Sequence, residues 1–207
     1  MIRTQTWDVS AQTAAMRARS RGGSLARRMQ KMQGATVARR VLGIDPGLHI
    51  TGYGLIEIEG APQSSVKVPK LVEAGILKAK PTDELAVRLQ TLFDGLSEVL
   101  RQHTPDVVVI EDLFSTYAHP RSALQMAHAR GVLILAAQQA GAHVHSFLPN
   151  EVKQVVARNG HASKVAMQNA VKARLNLAAP PNPPDVADAL AIALCYAARQ
   201  DIAERLR

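Results

Sequence analysis

Four acidic residues, Asp45, Glu111, Asp185 and Asp188, stand where an acid needs a reason. Asp45 ends the run Val41, Leu42, Gly43, Ile44, at a place where the strand pattern calls for an apolar side chain. Aspartate is disfavoured in strands, and an unpaired buried charge is costly. Glu111 ends a second apolar run, "DVVVIE", over 106–111. Asp185 and Asp188 are three apart in "PPDVADALAIALCYA", which puts them on one face of a helix, in its first turn. Each has an ordinary explanation. Asp-Pro-Gly is a good turn signal, a strand-end glutamate reaches water, and a helix N-terminus favours negative charge. The last explanation suits Asp188 less well, because that residue lies beside the apolar stripe of Leu190, Ala191 and Leu194.

Brought together, four carboxylates repel, and some stay protonated unless cations are bound. Oxygen-only ligands suit Mg2+ or Mn2+ rather than zinc, and no His/Cys cluster with zinc spacing is present. Two such cations, roughly 3.5–4 Å apart, clamp the attacking and leaving oxygens of a phosphodiester. The expectation is metal-assisted phosphodiester hydrolysis, with all four acids as catalytic metal ligands. Metal binding then offsets the cost of an acid at the centre of a sheet.

The elements that would bring these acids together can be read in order. Strands over 40–46, 52–59 and 71–78 are joined by the turn "PGLHITG" and the loop "GAPQSSVKVP", which predicts an antiparallel meander. "PTDELAVRLQTLFDGLSEVLRQHTP" predicts a helix, with Thr82 as N-cap and Asp83 and Glu84 at its positive end. Its apolar stripe runs from Leu85 through Leu89, Leu92 and Leu96 to Val99 and Leu100. Residues 106–111 read as a central strand covered on both faces. A helix over 120–140 and a short strand, "AHVHSF", follow. Then come a helix over "NEVKQVVARNG" stopped by Gly160 and a helix capped by Ser163. The loop "AAPPNPPD", stiffened by four prolines, sets the start of the last helix, which runs from Asp185 to about Arg199. The predicted fold class is α/β: a mixed five-stranded sheet flanked by helices, with the first and fourth strands parallel neighbours. Asp45 and Glu111 would then share the sheet edge where open α/β sheets place their sites.

The chain has 207 residues, 47% hydrophobic and 20% charged, which suits one globular domain. No apolar run is long enough to span a membrane, and no secretory signal is visible. The single cysteine, Cys195, excludes an internal disulfide and suits a reducing compartment. The net charge of +8 invites a nucleic-acid reading, but residues 1–40 carry nine basic residues against Asp8 alone. From 41 onward 16 basic residues balance 16 acidic ones, so the excess is no evidence about the body. Residues 1–39 read as a disordered basic extension, residues 40–200 as the domain, and residues 201–207 as a tail. The extension is a nonspecific DNA-binding arm, a stretch with transit-peptide composition, or sequence upstream of a true start at Met29 or Met32. The last reading is favoured, because the first strand begins soon after Met32.

"LGIDPGLHITGYG", "VVVIEDLF", "SALQMAHARGV", "EVKQVV" and "DVADALAIA" follow one another in the order and rough spacing of one family. Over about 40–198 the chain resembles the RuvC-type Holliday junction resolvases, the crossover junction endodeoxyribonucleases. The resemblance implies an RNase H-like fold, a homodimer, and Mg2+-dependent cleavage, with Mn2+ able to substitute. Each subunit would hold two metal ions and nick one strand of a four-way DNA junction, leaving 5′-phosphates, in recombination and repair. The family's metal-binding acids fall on Asp45, Glu111, Asp185 and Asp188. Its base-stacking aromatic falls on Phe114, and stacking contributes roughly 1–3 kcal/mol per base. The bland alternative is a loop phenylalanine tucked into the core. Lys153 and Lys164 match lysines that contact the DNA backbone or the scissile phosphate, against the alternative of a solvated helix face. Arg121 and Arg130 are weaker DNA-binding candidates. Asp112 is either a fifth acid near the metals or a side chain that points away. His49, His119 and His161 are assigned no chemistry. The resemblance also implies RuvA and RuvB as branch-migration partners, a T-rich cleavage preference, and a cytoplasmic, nucleoid-associated location.

Three other functions compete. A YqgF-like nuclease also opens with Gly-Ile-Asp, but it lacks the "DPGLHITGYG" form and the Phe114 context. A sugar-kinase or actin-like ATPase needs a second domain and a second phosphate loop. A nonenzymatic junction-binding protein would be favoured by loss of one acid, and all four are present.

Overall fold

A computed structural model describes residues 5–6, 39–58, 68–113 and 120–205, with residues 5–6, 120–121 and 201–205 described by backbone alone. The strands are β1 (Gln5–Thr6), β2 (Arg39–Asp45), β3 (Ile50–Ile58), β4 (Lys70–Lys78), β5 (Val107–Glu111) and β6 (His143–Phe147). The helices are α1 (Leu85–His103), α2 (Pro120–Gln139), α3 (Pro149–Ala157), α4 (Lys164–Arg174) and α5 (Pro184–Arg205). One sheet runs β1-β4-β3-β2-β5-β6. β1 to β4, β4 to β3 and β3 to β2 are antiparallel; β2 to β5 and β5 to β6 are parallel. The five expected strands are present, with the first and fourth parallel neighbours. The two-residue β1 adds a sixth at the edge, pairing Gln5 with Ile76 and Thr6 with Gly75. The rest of the extension lies outside the described residues.

Side chains alternate across each strand, so every strand feeds two cores. Leu42 and Ile44 of β2 and Val108 and Ile110 of β5 pack under α1 and α2 with Leu92, Leu96 and Leu133. Val41, Val107 and Val109 point the other way, into a core with Val152, Met167, Val186 and Leu190 from α3, α4 and α5. By the same parity, Asp45 and Glu111 face the side that holds α5. That helix is buried along Val186–Ala197 apart from a partly exposed Asp188, because the sheet covers one side and α3 and α4 the other.

Three helix ends differ from expectation. Residues 80–83 form a turn closed by Asp83 N–H on the Lys80 carbonyl, so α1 begins at Leu85 after Glu84, and Thr82 is not its cap. Leu85 of the predicted stripe is exposed, and buried Arg88 takes an inner place instead. α3 ends at Ala157 because Arg158 adopts the left-handed conformation, φ 57°, that Gly160 was expected to provide. Arg174 supports that end by donating from Nε to the Val156 carbonyl at 3.0 Å and from Nη2 to the Val155 carbonyl at 2.6 Å. Ser163 caps α4 as predicted, accepting from Ala166 N–H at 3.2 Å. α5 continues through Arg205 with no break at 200.

Candidate active site

Register decides where the acids meet. Ile44 of β2 lies opposite Ile110 of β5, so Asp45 and Glu111 each follow one residue later, side by side on one face. Pro46 and Gly47 then turn the chain. The Thr51 hydroxyl donates to the Gly47 carbonyl at 2.7 Å and accepts from Gly47 N–H at 3.2 Å, fixing the turn directly behind Asp45.

α5 reaches this edge because the sheet beneath it lacks side chains. Gly43 lies opposite Gly54, and Asp45 opposite Gly52. A Cβ on Gly52 would collide with the carbonyl oxygen of Asp185, and one on Gly43 with that of Ala189. A Cβ on Gly54 would meet the Leu190 side chain at 2.5 Å. The three glycines form a trough that admits the α5 backbone, and the first turn of α5 lands beside Asp45. Sequence reasoning missed these residues as site builders. The available signal was glycine at alternate positions of two paired strands, which marks a close backbone approach.

The four acids are near enough to act on one another. Burial pushes the Asp45 carboxyl well up from its ordinary value, and the charges of Glu111, Asp188 and Asp185 add to the rise. Glu111 is pushed up to about 7, first by burial and then by Asp188. Burial also raises Asp188, with a contribution from Asp185. Lys164, at the start of α4, counters the rise in Asp45 and Asp188; Lys153, on α3, counters it in Glu111 and Asp188. Two helices thus bring one lysine each to the rim. Acids raised by burial and mutual repulsion, with oxygen donors only, fit a hard divalent cation. Among the described residues no three His, Cys, Asp or Glu side chains close on a common point as a ready chelate.

The other candidates divide. Asp112 turns away: its Oδ1 accepts from Leu113 N–H at 2.9 Å and pairs with Arg130 at 3.0 Å. Arg130 is only 20% exposed and also donates to the Glu111 carbonyl and the Ser146 hydroxyl. Phe114 and His119 lie outside the described residues, as does the side chain of Arg121. His49 lies beside Arg88, whose Nη2 is 3.1 Å from its Nδ1.

Residues 41–196 match the family profile described as Crossover junction endodeoxyribonuclease RuvC. The protein of that name from Rhodopirellula baltica is 47% identical over 168 residues, covering 80% of this chain and 91% of its own. That from Pelotomaculum thermopropionicum is 42% identical over 157 residues, covering 76% of this chain and 92% of its own. Among solved structures, Thermus thermophilus RuvC in complex with a Holliday junction substrate is 32% identical with a TM-score of 0.71. That match spans 80% of this chain and 96% of the other. The yeast mitochondrial Holliday junction resolvase Ydc2, 15% identical over 88% of this chain and 90% of its own, shares the fold at a TM-score of 0.57. The sheet is therefore the RNase H-like sheet of resolvases. Nucleases of this family depend on metal ions. No helix among the described residues is long and apolar enough to cross a membrane. Identity above 40% over nearly the full length of relatives goes beyond a shared fold, and this chain belongs to the RuvC family of crossover junction endodeoxyribonucleases.

Proposed function

We propose that the protein resolves four-way DNA junctions by symmetric paired nicks, hydrolysing phosphodiesters with Asp45, Glu111, Asp185 and Asp188 as metal ligands. The observation that carries this is the meeting of four acids from two parallel strands and one helix, with at least three raised by burial and by one another. Two Mg2+ ions held there would activate the attacking water and stabilise the leaving 3′ oxygen, with Mn2+ as a substitute. Asp45 lies deepest in the cluster and is coupled to all three of the others. Asp185 and Asp188 come from a helix that the glycine trough holds in place. Lys153 and Lys164 provide positive charge at the rim, where a DNA phosphate would approach. Phe114 remains the proposed base-stacking residue and Arg121 a proposed backbone contact.

The finer partners belong to the same reading. A homodimer would use α2, whose inner face is buried through Ala129, Leu133 and Ala136. Its outer face exposes Leu124 at 64% and Leu135 at 51%, and a Cβ on Gly131 between them would meet nothing within 4 Å. Family membership supports RuvA and RuvB as its proposed branch-migration partners and the nucleoid as its proposed place of work.

The test is cleavage of a synthetic four-way junction with Mg2+, beside a linear duplex and the Asp45→Asn variant. Paired nicks in the junction that vanish in the variant, with junction binding intact, are the expected result. Equal treatment of junction and duplex would overturn the resolvase reading.

A further inference from the structure

We infer that Arg130 is a positioning residue that sets the main chain of Glu111, by tying the end of β5 to α2 and β6. The inference rests on the proposed role of Glu111 as a metal ligand and adds what holds that ligand still.

Glu111 needs such a tie. The pairing of β5 with β2 ends at Ile44 and Ile110, so Glu111 stands one residue past that support. On the other side it is the last residue paired with β6, opposite Phe147. Asp112 N–H still bonds the Phe147 carbonyl at 2.8 Å, and beyond that the chain leaves the sheet. The strand end that must present a carboxylate is thus held by the sheet on one side only.

Arg130 adds a tie from α2. Its Nε donates to the Glu111 carbonyl at 3.0 Å. Its Nη2 donates to Ser146 Oγ on β6 at 2.7 Å and pairs with Asp112 Oδ1 at 3.0 Å. One planar guanidinium therefore joins three chain segments at the carboxyl end of the parallel strands. A fork with fixed donor directions does this where a lysine ammonium would not, since its charge sits at one point. The charge of Arg130 is not among the influences on Glu111, which are burial, Asp188 and Lys153. Arg130 therefore acts on Glu111 through the backbone. The side chain is engaged inward, which also takes it out of the set of DNA contacts suggested by sequence.

The experiment compares wild type, Arg130→Lys, Arg130→Met and Ser146→Ala, with Glu111→Gln as control. It measures the Mg2+ dependence of junction cleavage, Mn2+ binding by electron paramagnetic resonance without DNA, junction affinity without metal, and melting temperature. Loss of a residue that orients a metal ligand typically costs about 10–100-fold in metal affinity. Arg130→Lys is expected to need about 10-fold more Mg2+ for half-maximal cleavage and to bind Mn2+ correspondingly less tightly. Ser146→Ala should shift both in the same direction by less. Metal-free junction affinity should stay at the wild-type value. Wild-type metal dependence in Arg130→Lys overturns the proposal. So does a loss of metal-free junction affinity in step with cleavage, which would make Arg130 a DNA contact, or a cleavage loss that follows melting temperature alone. Arg130→Met repeats the comparison without the charge, and Arg130→Lys stands alone if that variant does not fold. If wild type shows no metal-dependent cleavage and Glu111→Gln binds Mn2+ as wild type does, the reading beneath fails and the proposal with it.

Discussion

Glu111 shows what burial beside another acid does to a carboxyl. Its carboxyl, raised from 4.5 to about 7, holds its proton more tightly in the fold than in the unfolded chain. The stability this gives is complete below the unfolded value and is lost as pH rises through about 7. Ionising it costs the metal-free fold roughly 3 kcal/mol, at about 1.4 kcal/mol per pKa unit. A bound divalent cation removes the repulsion, so Mg2+ is expected to raise the melting temperature more near pH 8 than near pH 5. Calorimetric scans at the two pH values check this. Asp45→Asn removes a carboxyl on which burial and all three other acids act. It should raise metal-free melting temperature while lowering cleavage by more than about 100-fold, the upper cost of losing only a supporting residue. Melting curves and initial rates on one preparation separate the two effects. In the sequence Asp45 stands out because it is the wrong residue for its strand pattern, and Glu111, Asp185 and Asp188 join it only through the expected strand order and the family motifs. Arg130 was not legible in its role, because the direction of a long side chain depends on how α2 docks.

At the scale of elements, the trough under α5 makes a graded prediction. Gly43→Ala and Gly52→Ala both force a methyl group against the α5 backbone and should cost about 1–3 kcal/mol of stability, the usual range for overpacking. They should differ in activity. A Cβ on Gly52 meets Asp185, a proposed metal ligand, while one on Gly43 meets Ala189 and Ala193. At matched destabilisation, read from urea melts, Gly52→Ala should lose more cleavage and show the greater need for metal. Strand existence, order and the parallel pair were readable from periodicity. Helix starts were readable where a side chain caps, as at Ser163, and not where a turn competes, as at residues 80–83. Gly160 misled for a related reason: Arg158 takes the left-handed conformation two residues earlier, with Arg174 holding the carbonyls beside it.

Across the whole molecule, two sets of acids oppose one another in pH. Glu73 of β4 accepts from Tyr53 at 2.9 Å and lies 2.7 Å from His103 at the end of α1. The His103 hydrogen bond holds its carboxyl below the ordinary value, so its contribution to stability is present above that value and is lost as pH falls through the depressed one. Asp45, Glu111 and Asp188 work in the other sense. Metal-free stability should therefore pass through a maximum on the acid side of neutrality. Glu73→Gln should flatten the acid limb and Glu111→Gln the limb near 7, in urea titrations across pH. Assembly is tested at the same scale. Leu124→Glu with Leu135→Glu places charge on the outer face of α2 while leaving its buried face intact. The double variant is expected to sediment as a monomer with an unchanged melting profile at low concentration, and to lose paired nicking.

Residue type and spacing alone set out the expected chemistry and its parts. The acids and lysines of the candidate site, the strand and helix order and the family motifs are properties of residue type and spacing, which survive without coordinates. Tertiary structure decided what those parts do to one another. Side-chain parity along β2 and β5 turned two strand-end acids toward the same helix. Three missing Cβ atoms let α5 come down to the sheet, and one guanidinium held the strand end that the sheet leaves half supported. Burial and proximity set the charge state of the site, and both arise only when segments more than a hundred residues apart share one edge.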